Sequence, residues 1–210
     1  MPRQPPADSA SPETPRARLP RAFFARPSPL VARELLGCWM VRRLRREEFR
    51  VEITETEAYL GSTDPASHAF RGRTRRNAPM FGMAGIAYVY FVYGMHYCFN
   101  VVTGAAGDPQ AVLVRGGVDH TGATGIPLPG PARFCRALSI DLACNGADLC
   151  QPAAGAIWFE SGGGAPIPIV VTPRVGVRDG SPLRFLTGPT PPRGPKLALK
   201  RKRAPKGSLV

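Results

Sequence analysis

Short stretches in which apolar side chains recur at every second position, or in which β-branched and aromatic residues run together, punctuate the chain and predict β-strands. CWMVRRL and RVEITETEAYL are two of these, joined near residues 45 to 48, and they predict a strand pair. A polar loop rich in Gly and Arg follows over residues 61 to 79. AYVYFVY and HYCFNVV come next, separated only by Gly94 and Met95, which predicts a tight β-hairpin. AVLVRGGV predicts another strand, and AIWFE, IPIVV and LRFL give short strands broken by Gly and Pro. Helical signals are confined to two places. LVARELLG after Ser28-Pro29 predicts a short helix with Ser28 as N-cap, Pro29 in the first turn and Gly37 at its end, and PARFCRALSI after Gly130 predicts a second. The result is an α+β fold: a single domain with a mixed, largely antiparallel sheet, a few short helices and a protruding hairpin.

Composition sets the limits of that domain. The chain has 210 residues, 43% of them hydrophobic, enough for one domain with a sizeable core. Residues 1 to 20 are rich in Pro, Ala and Ser and are expected to be disordered; residues 189 to 210 are expected to be a second mobile end, with the folded domain at 21 to 188. The longest apolar stretch, from Ala84 to Val92, is far shorter than the ~20 residues of a membrane span, and the N-terminus lacks the apolar core of a secretory signal. Five cysteines at irregular spacing, without a Cys-x-x-Cys pair and with only three histidines, predict a reducing, intracellular setting and neither metal nor cofactor.

Charge is distributed unevenly. The net charge is +13, and seven basic side chains lie between residues 193 and 206 with no acid among them. All four lysines are in that tail; the 21 basic residues of the body are all arginine. A polybasic tail suits a phosphate backbone, binding it in a salt-dependent way. A solvated end or a segment on an acidic membrane surface would share this composition, but the motifs below favour nucleic acid.

Two places carry candidate chemistry. In the strand beginning at Val51, regular alternation puts Val51, Ile53, Glu55, Glu57 and Tyr59 on one side. If Val51 and Ile53 mark the core, Glu55 and Glu57 point inward or into a cleft, where an ionised carboxylate is costly unless it is bonded or used. A bulge returning both acids to solvent, or an internal pair with an arginine, fits the same pattern. The hairpin is the second place. Tyr88 and Tyr90 share one face, and Tyr93 borders the turn, where an exposed aromatic is what a wedge between stacked bases requires. Cross-strand packing is the alternative use, and the one expected for Tyr88. Arg71, Arg73, Arg75 and Arg76 form a loop cluster able to grip DNA phosphates or simply to solvate the loop.

TETEAYLGSTDPASHAFRGRTRRNAPMF, YVYFVYGMHYCFN, AVLVRGG and GPARFCRALSI together resemble the alkyladenine DNA glycosylase family, the 3-methyladenine DNA glycosylases of mammalian type, over residues 20 to 187. The resemblance implies a monomeric, intracellular, DNA-associated enzyme without a cofactor that acts on double-stranded DNA. Glu57 then corresponds to the general base that activates water, and Arg115 to the arginine that helps place it. Tyr59, His68 and Tyr90 match residues that stack on or hydrogen-bond to the flipped purine, and Asn100 the asparagine that discriminates against normal guanine. Tyr93 matches the side chain that fills the gap left in the duplex. Met80, Phe81 and Cys98 also fall on family positions. In RDGSPLRFLTGPTPPRGP only Pro-Leu-Arg-Phe matches the family's closing segment.

That chemistry needs little beyond these residues. A purine alkylated at N3 or N7 is already cationic and leaves readily, so one carboxylate can both activate water and stabilise the developing sugar cation. Hypoxanthine and ethenoadenine are neutral and would also need a proton, for which the sequence offers no evident donor. Strand cleavage by a glycosylase proceeds through an amine Schiff base, and a body without lysine predicts a monofunctional enzyme that leaves an abasic site. The alternative reading is a non-catalytic binder of distorted or abasic DNA; a third, hydrolysis of free nucleosides, conflicts with the exposed Tyr93 and the basic tail.

Overall fold

A computed structural model describes residues 16–122, 124–152, 156–163 and 167–188; the Pro-rich start through residue 15 and the basic tail from residue 189 lie outside the described residues. The order of elements is α1 (Arg21–Phe24), α2 (Ser28–Glu34), β1 (Trp39–Leu44), β2 (Glu47–Tyr59), β3 (Ala87–Val92), β4 (His96–Thr103), β5 (Gln110–Asp119), β6 (Ile126–Leu128), α3 (Pro131–Ala137), β7 (Ile157–Glu160), β8 (Ile169–Thr172) and β9 (Arg184–Thr187). The nine strands form one sheet, ordered β3-β4-β5-β2-β1-β7, with β6 on β5 and the β8–β9 pair on β2. Every pairing among the named strands is antiparallel. Residues 17 to 19 lie along the outer edge of β7, where the Leu19 N–H donates to the Phe159 carbonyl at 2.9 Å and the Ser161 N–H to that of Ala17 at 2.8 Å. This covers backbone groups that would otherwise template further strand pairing.

One face of the sheet carries the main core. Val51, Ile53, Ala58, Val89, Phe99, Val101, Val112 and Val114 are buried there against Phe24 of α1, Val31 of α2 and Phe134 of α3. β2 reaches this face by an irregular path. Ile53 pairs with Gly117, Glu55 with Gly116 and Thr56 with Val114, so Thr54 and Arg115 each stand as an extra residue. These are β-bulges, and a bulge shifts the alternation of every residue beyond it. The core face is therefore lined by Val51 and Ile53 before the bulge and by Thr56 and Ala58 after it; the buried Thr56 hydroxyl donates to the Ala32 carbonyl of α2 at 2.8 Å. Uniform alternation along β2 fails here. Glu55, Glu57 and Tyr59 lie on the opposite face from Val51 and Ile53, yet both acids are buried, because a second layer covers that face. Gly117 is needed for the close approach, since a Cβ there would sit 2.5 Å from the Glu52 carbonyl oxygen.

Two local expectations change. Ser28 is the first residue of α2 and not its cap; its hydroxyl donates to the Tyr59 carbonyl at 3.1 Å and its N–H to Gln110 Oε1 at 2.8 Å, tying the helix to the sheet. The hairpin tip has three residues, Tyr93, Gly94 and Met95, because Val92 pairs with His96. Tyr93 and Gly94 adopt left-handed backbone, with φ of 52° and 65°. The four-residue α1 and three-residue β6 are too short to leave a periodic signal. All five cysteines are free, and no helix among the described residues is long and apolar enough to cross a membrane.

Candidate active site

The second face of the sheet gathers charge at the bulge. Glu57 is fully buried, and each of its oxygens is held. Oε1 accepts from the Val175 N–H at 2.8 Å, and Oε2 from the Tyr59 hydroxyl at 3.0 Å. The Arg115 guanidinium lies beside it at 3.3 to 3.4 Å. Arg115 makes its shorter bond to Glu55, Nε to Oε1 at 2.8 Å, and Arg184 Nε reaches the same oxygen at 2.7 Å. Two carboxylates and two guanidiniums thus meet where β2, β5 and β9 adjoin. Burial alone would lower the Arg115 pKa, but the Glu57 charge and the Glu55 hydrogen bond raise it, so its charge is fixed. Burial and the adjacent Glu57 charge push the Tyr59 hydroxyl up, which keeps it a donor at neutral pH.

Behind this cluster, Arg174 is almost wholly buried. Its guanidinium donates to the Ala58 carbonyl at 3.0 Å, to Asp64 Oδ1 at 3.0 Å and to Asp179 Oδ2 at 2.8 Å, and it lies 4.7 Å from the Tyr59 ring centre. The next N–H along the chain is the Val175 donor to Glu57. Fixing Arg174 therefore fixes both that donor and the Tyr59 ring.

Next to Tyr59 opens a cavity of about 100 Å³, partly open to solvent and lined among others by Ser67, His68, Tyr88, Tyr90 and Asn100. β3 and β4 build the wall, since Tyr88 pairs with Asn100 and alternation brings Tyr90 to the same face. His68 Nδ1 is 2.8 Å from the Tyr88 hydroxyl, and its ring meets that of Tyr90 edge-on with centres 4.5 Å apart. Although the His68 side chain is exposed overall, desolvation of its ring by these neighbours, followed by the charge of Arg76, lowers its pKa and favours the neutral form. Burial pushes the Tyr88 hydroxyl up to about 12, and the buried Asn100 amide donates to the Tyr88 carbonyl at 2.9 Å. The cavity is aromatic, with uncharged hydrogen-bonding groups, and the Tyr59 hydroxyl connects it to the Glu57 carboxylate.

Outside the cavity mouth, the Tyr93 side chain is 86% exposed at the hairpin tip, with Met95 beside it at 65%. Arg71, Arg73 and Arg75 are exposed on a loop held by Asn77, whose amide donates to the carbonyls of His68 at 2.8 Å and Gly72 at 3.0 Å. Arg76 instead turns back, donating to the Phe91 carbonyl at 3.3 Å and lying 5.3 Å from the Tyr90 ring centre.

The family model described as methylpurine-DNA glycosylase matches residues 22–190. The chain belongs to the methylpurine-DNA glycosylase family. A relative from Carboxydothermus hydrogenoformans, named "Putative 3-methyladenine DNA glycosylase", is 47% identical over 180 residues, covering 80% of this chain and 92% of the relative. Proteins of the same name from Methanocella arvoryzae and Streptomyces avermitilis are 44% and 43% identical, covering 76% and 81% of this chain and 84% and 87% of theirs. Membership makes the chain a DNA glycosylase for alkylated bases, a hydrolase of N-glycosidic bonds acting in DNA repair.

Within this family member, the sequence-predicted residues divide into two groups. Glu57, Arg115, Tyr59, His68, Tyr90 and Asn100 converge on one carboxylate and one cavity. Tyr93, Arg71, Arg73 and Arg75 stand on the surface around it, and Arg76, also exposed, turns back towards the Tyr90 ring. Sequence reasoning missed Arg174, Asp64 and Arg184. Arg184 sits in the Pro-Leu-Arg-Phe match, which offered a signal; Arg174, an isolated arginine between Pro173 and Val175, offered none.

Proposed function

We propose that this glycosylase takes an alkylated or deaminated purine out of duplex DNA into the cavity bounded by Tyr59, His68 and Tyr90 and hydrolyses its glycosidic bond. The substrate class is 3-methyladenine, 7-methylguanine, hypoxanthine and ethenoadenine. Glu57 accepts a proton from water as the water oxygen bonds to C1′; the bond from C1′ to the purine nitrogen breaks, and the electron pair leaves with the base. The positive charge already on an N3- or N7-alkylated purine makes that departure easy, and the Glu57 charge faces the cationic sugar that develops. Tyr59, His68 and Tyr90 hold the purine by stacking and hydrogen bonding, and Asn100 restricts access for normal guanine. Tyr93 enters the vacated stack, while Arg71, Arg73, Arg75 and Arg76 contact phosphates.

The observation that carries the reading is the buried Glu57, whose hydrogen bond from Tyr59 links it directly to the cavity. Absence of strand cleavage is supported by a body without lysine, since the four lysines all lie beyond residue 195. The test is single-turnover base release from a duplex bearing one ethenoadenine or one 7-methylguanine, with wild type and Glu57→Gln, with and without alkali. Release that requires Glu57, with strand breaks only after alkali, is expected. Tight lesion binding by both proteins with no release would overturn the reading in favour of a damage sensor, and breaks without alkali would overturn monofunctionality.

A further inference from the structure

Glu55 is a buried carboxylate that the reaction above does not use. It is 6% exposed, and a single oxygen, Oε1, takes the shortest bonds of both Arg115 and Arg184, at 2.8 and 2.7 Å. Glu57, two residues along on the same face, is left with the longer contacts of Arg115, 3.3 and 3.4 Å. An arginine fork beside a lone carboxylate closes into a short bidentate pair, which would fix the charge of Glu57 and occupy the lone pairs a water must approach. Here the fork is drawn aside.

We propose that Glu55 and Arg184 are positioning residues that draw Arg115 towards Glu55 and leave it only its longer contacts to Glu57, so that Glu57 can take a proton from water. Glu55 competes for the Arg115 guanidinium, and Arg184 anchors Glu55 from β9, where it is the register partner of Glu57. The four side chains sum to zero charge, which makes the effect of each substitution on Glu57 predictable in sign. The other charged or titratable groups facing Glu57 stay unchanged in the test: Tyr59 on β2, Cys98 on β4 with its thiol bonded to Tyr90, and Arg174, which faces Tyr59 and is neutralised by Asp64 and Asp179.

The inference rests on Glu57 acting as the base, so its test begins with that residue. Single-turnover release of 7-methylguanine from duplex DNA is followed from acidic to neutral pH; this leaving group is already cationic, so the acid limb reports on the protein. If Glu57→Gln retains release, the proposed function fails first and this inference, which rests on it, fails with it. With Glu57 shown to be required, Glu55→Gln makes the cluster one charge more positive, and the pH of half-maximal rate is expected to fall by about one unit or more. Arg184→Gln makes it one charge more negative and is expected to raise that pH, while the double variant returns it towards wild type. Arg184→Lys and Glu55→Asp keep the charge and are expected to leave the limb in place, and either pair alone gives the sign if one neutral variant does not fold. Lower rates or lower melting temperatures with an unmoved limb, or limbs that move the same way in both neutral variants, would reduce the pair to a structural ion bridge and overturn the inference.

Discussion

Strands β2 to β5 present two faces that share a backbone and little else. On one face Ile53, Val89, Phe99, Val101, Val112 and Val114 pack with α1, α2 and α3 into an apolar layer that has no polar duty. On the other, the same strands carry Glu55, Glu57, Tyr59, Tyr88, Tyr90, Asn100 and Arg115, each with a polar partner or a ring neighbour. The comparison teaches that stability and chemistry are separated by the period-two alternation of a strand, and that bulges decide which residues go where. Were β2 to alternate without its bulge, the acids would face the same side as Val51 and Ile53, in the apolar layer. Burying an unpaired carboxylate there would cost several kcal/mol or force its protonation.

The sharpest way to break this separation is to substitute one residue on each face. Glu57→Gln is expected to lower single-turnover base release by about 10²–10⁴-fold, the range of a general base, while the urea midpoint stays close to wild type. Phe99→Ala is expected to do the reverse: about 3–5 kcal/mol of unfolding free energy lost to the cavity, with the rate per folded molecule near wild type at low temperature. A rate loss in Phe99→Ala matching that of Glu57→Gln would show that the two faces are not independent.

Asp64 tests whether the polar face also contributes stability. Burial would raise its pKa, but the hydrogen bonds from Arg174, Leu60 and Ala66 outweigh that and hold it below the ordinary carboxylate range. A group depressed in the folded state stabilises the fold above its unfolded value, near 4, and loses that contribution as pH falls through the folded value. Asp64→Asn strands the buried Arg174 guanidinium and is expected to destabilise the protein at pH 7 by about 3 kcal/mol. Its stability should also fall less steeply than wild type below about pH 4, read from urea titrations across pH. Equal slopes would mean that Arg174 is held by Asp179 and the Ala58 carbonyl alone.

Much of this arrangement was legible in the chain, for local reasons. The aromatic alternation of AYVYFVY and HYCFNVV, with Gly94 between, specifies both the hairpin and the face on which Tyr88, Tyr90 and Asn100 gather. Glu57 and Arg115 stood out with the Glu-Ala-Tyr and Val-Arg-Gly-Gly matches. The route by which Glu57 reaches its site was not legible. Alternation from Val51 puts it on the core side, and only the pairing with β5, a partner about 60 residues away, reveals the bulges that reverse it. Distance hides Arg174 and Arg184 for the same reason: their partners Asp64 and Glu55 lie more than 100 residues earlier, and neither arginine sits in a periodic pattern. Ser28 was misread because its hydroxyl meets the Tyr59 carbonyl, a tertiary partner, before it can serve its own helix.

The smallest expected effect concerns Tyr93, the aromatic at the hairpin tip between β3 and β4, which belongs to neither face. Tyr93 is largely exposed yet keeps a left-handed backbone, which costs a non-glycine residue about 1 kcal/mol. A fold that selected only for stability would place glycine or asparagine there. Tyr93→Ser should leave the urea midpoint within about 0.5 kcal/mol of wild type, as for an exposed side chain without partners. Affinity for a lesion duplex should weaken by about tenfold, the low end of what stacking one base on an aromatic contributes. Base release from the same lesion in a single strand should be unchanged, because there is no paired stack for the side chain to fill. The single strand is the arm that decides: an equal loss there would place Tyr93 in the cavity's own machinery, and an unchanged duplex affinity would leave its exposed ring without a role in binding DNA.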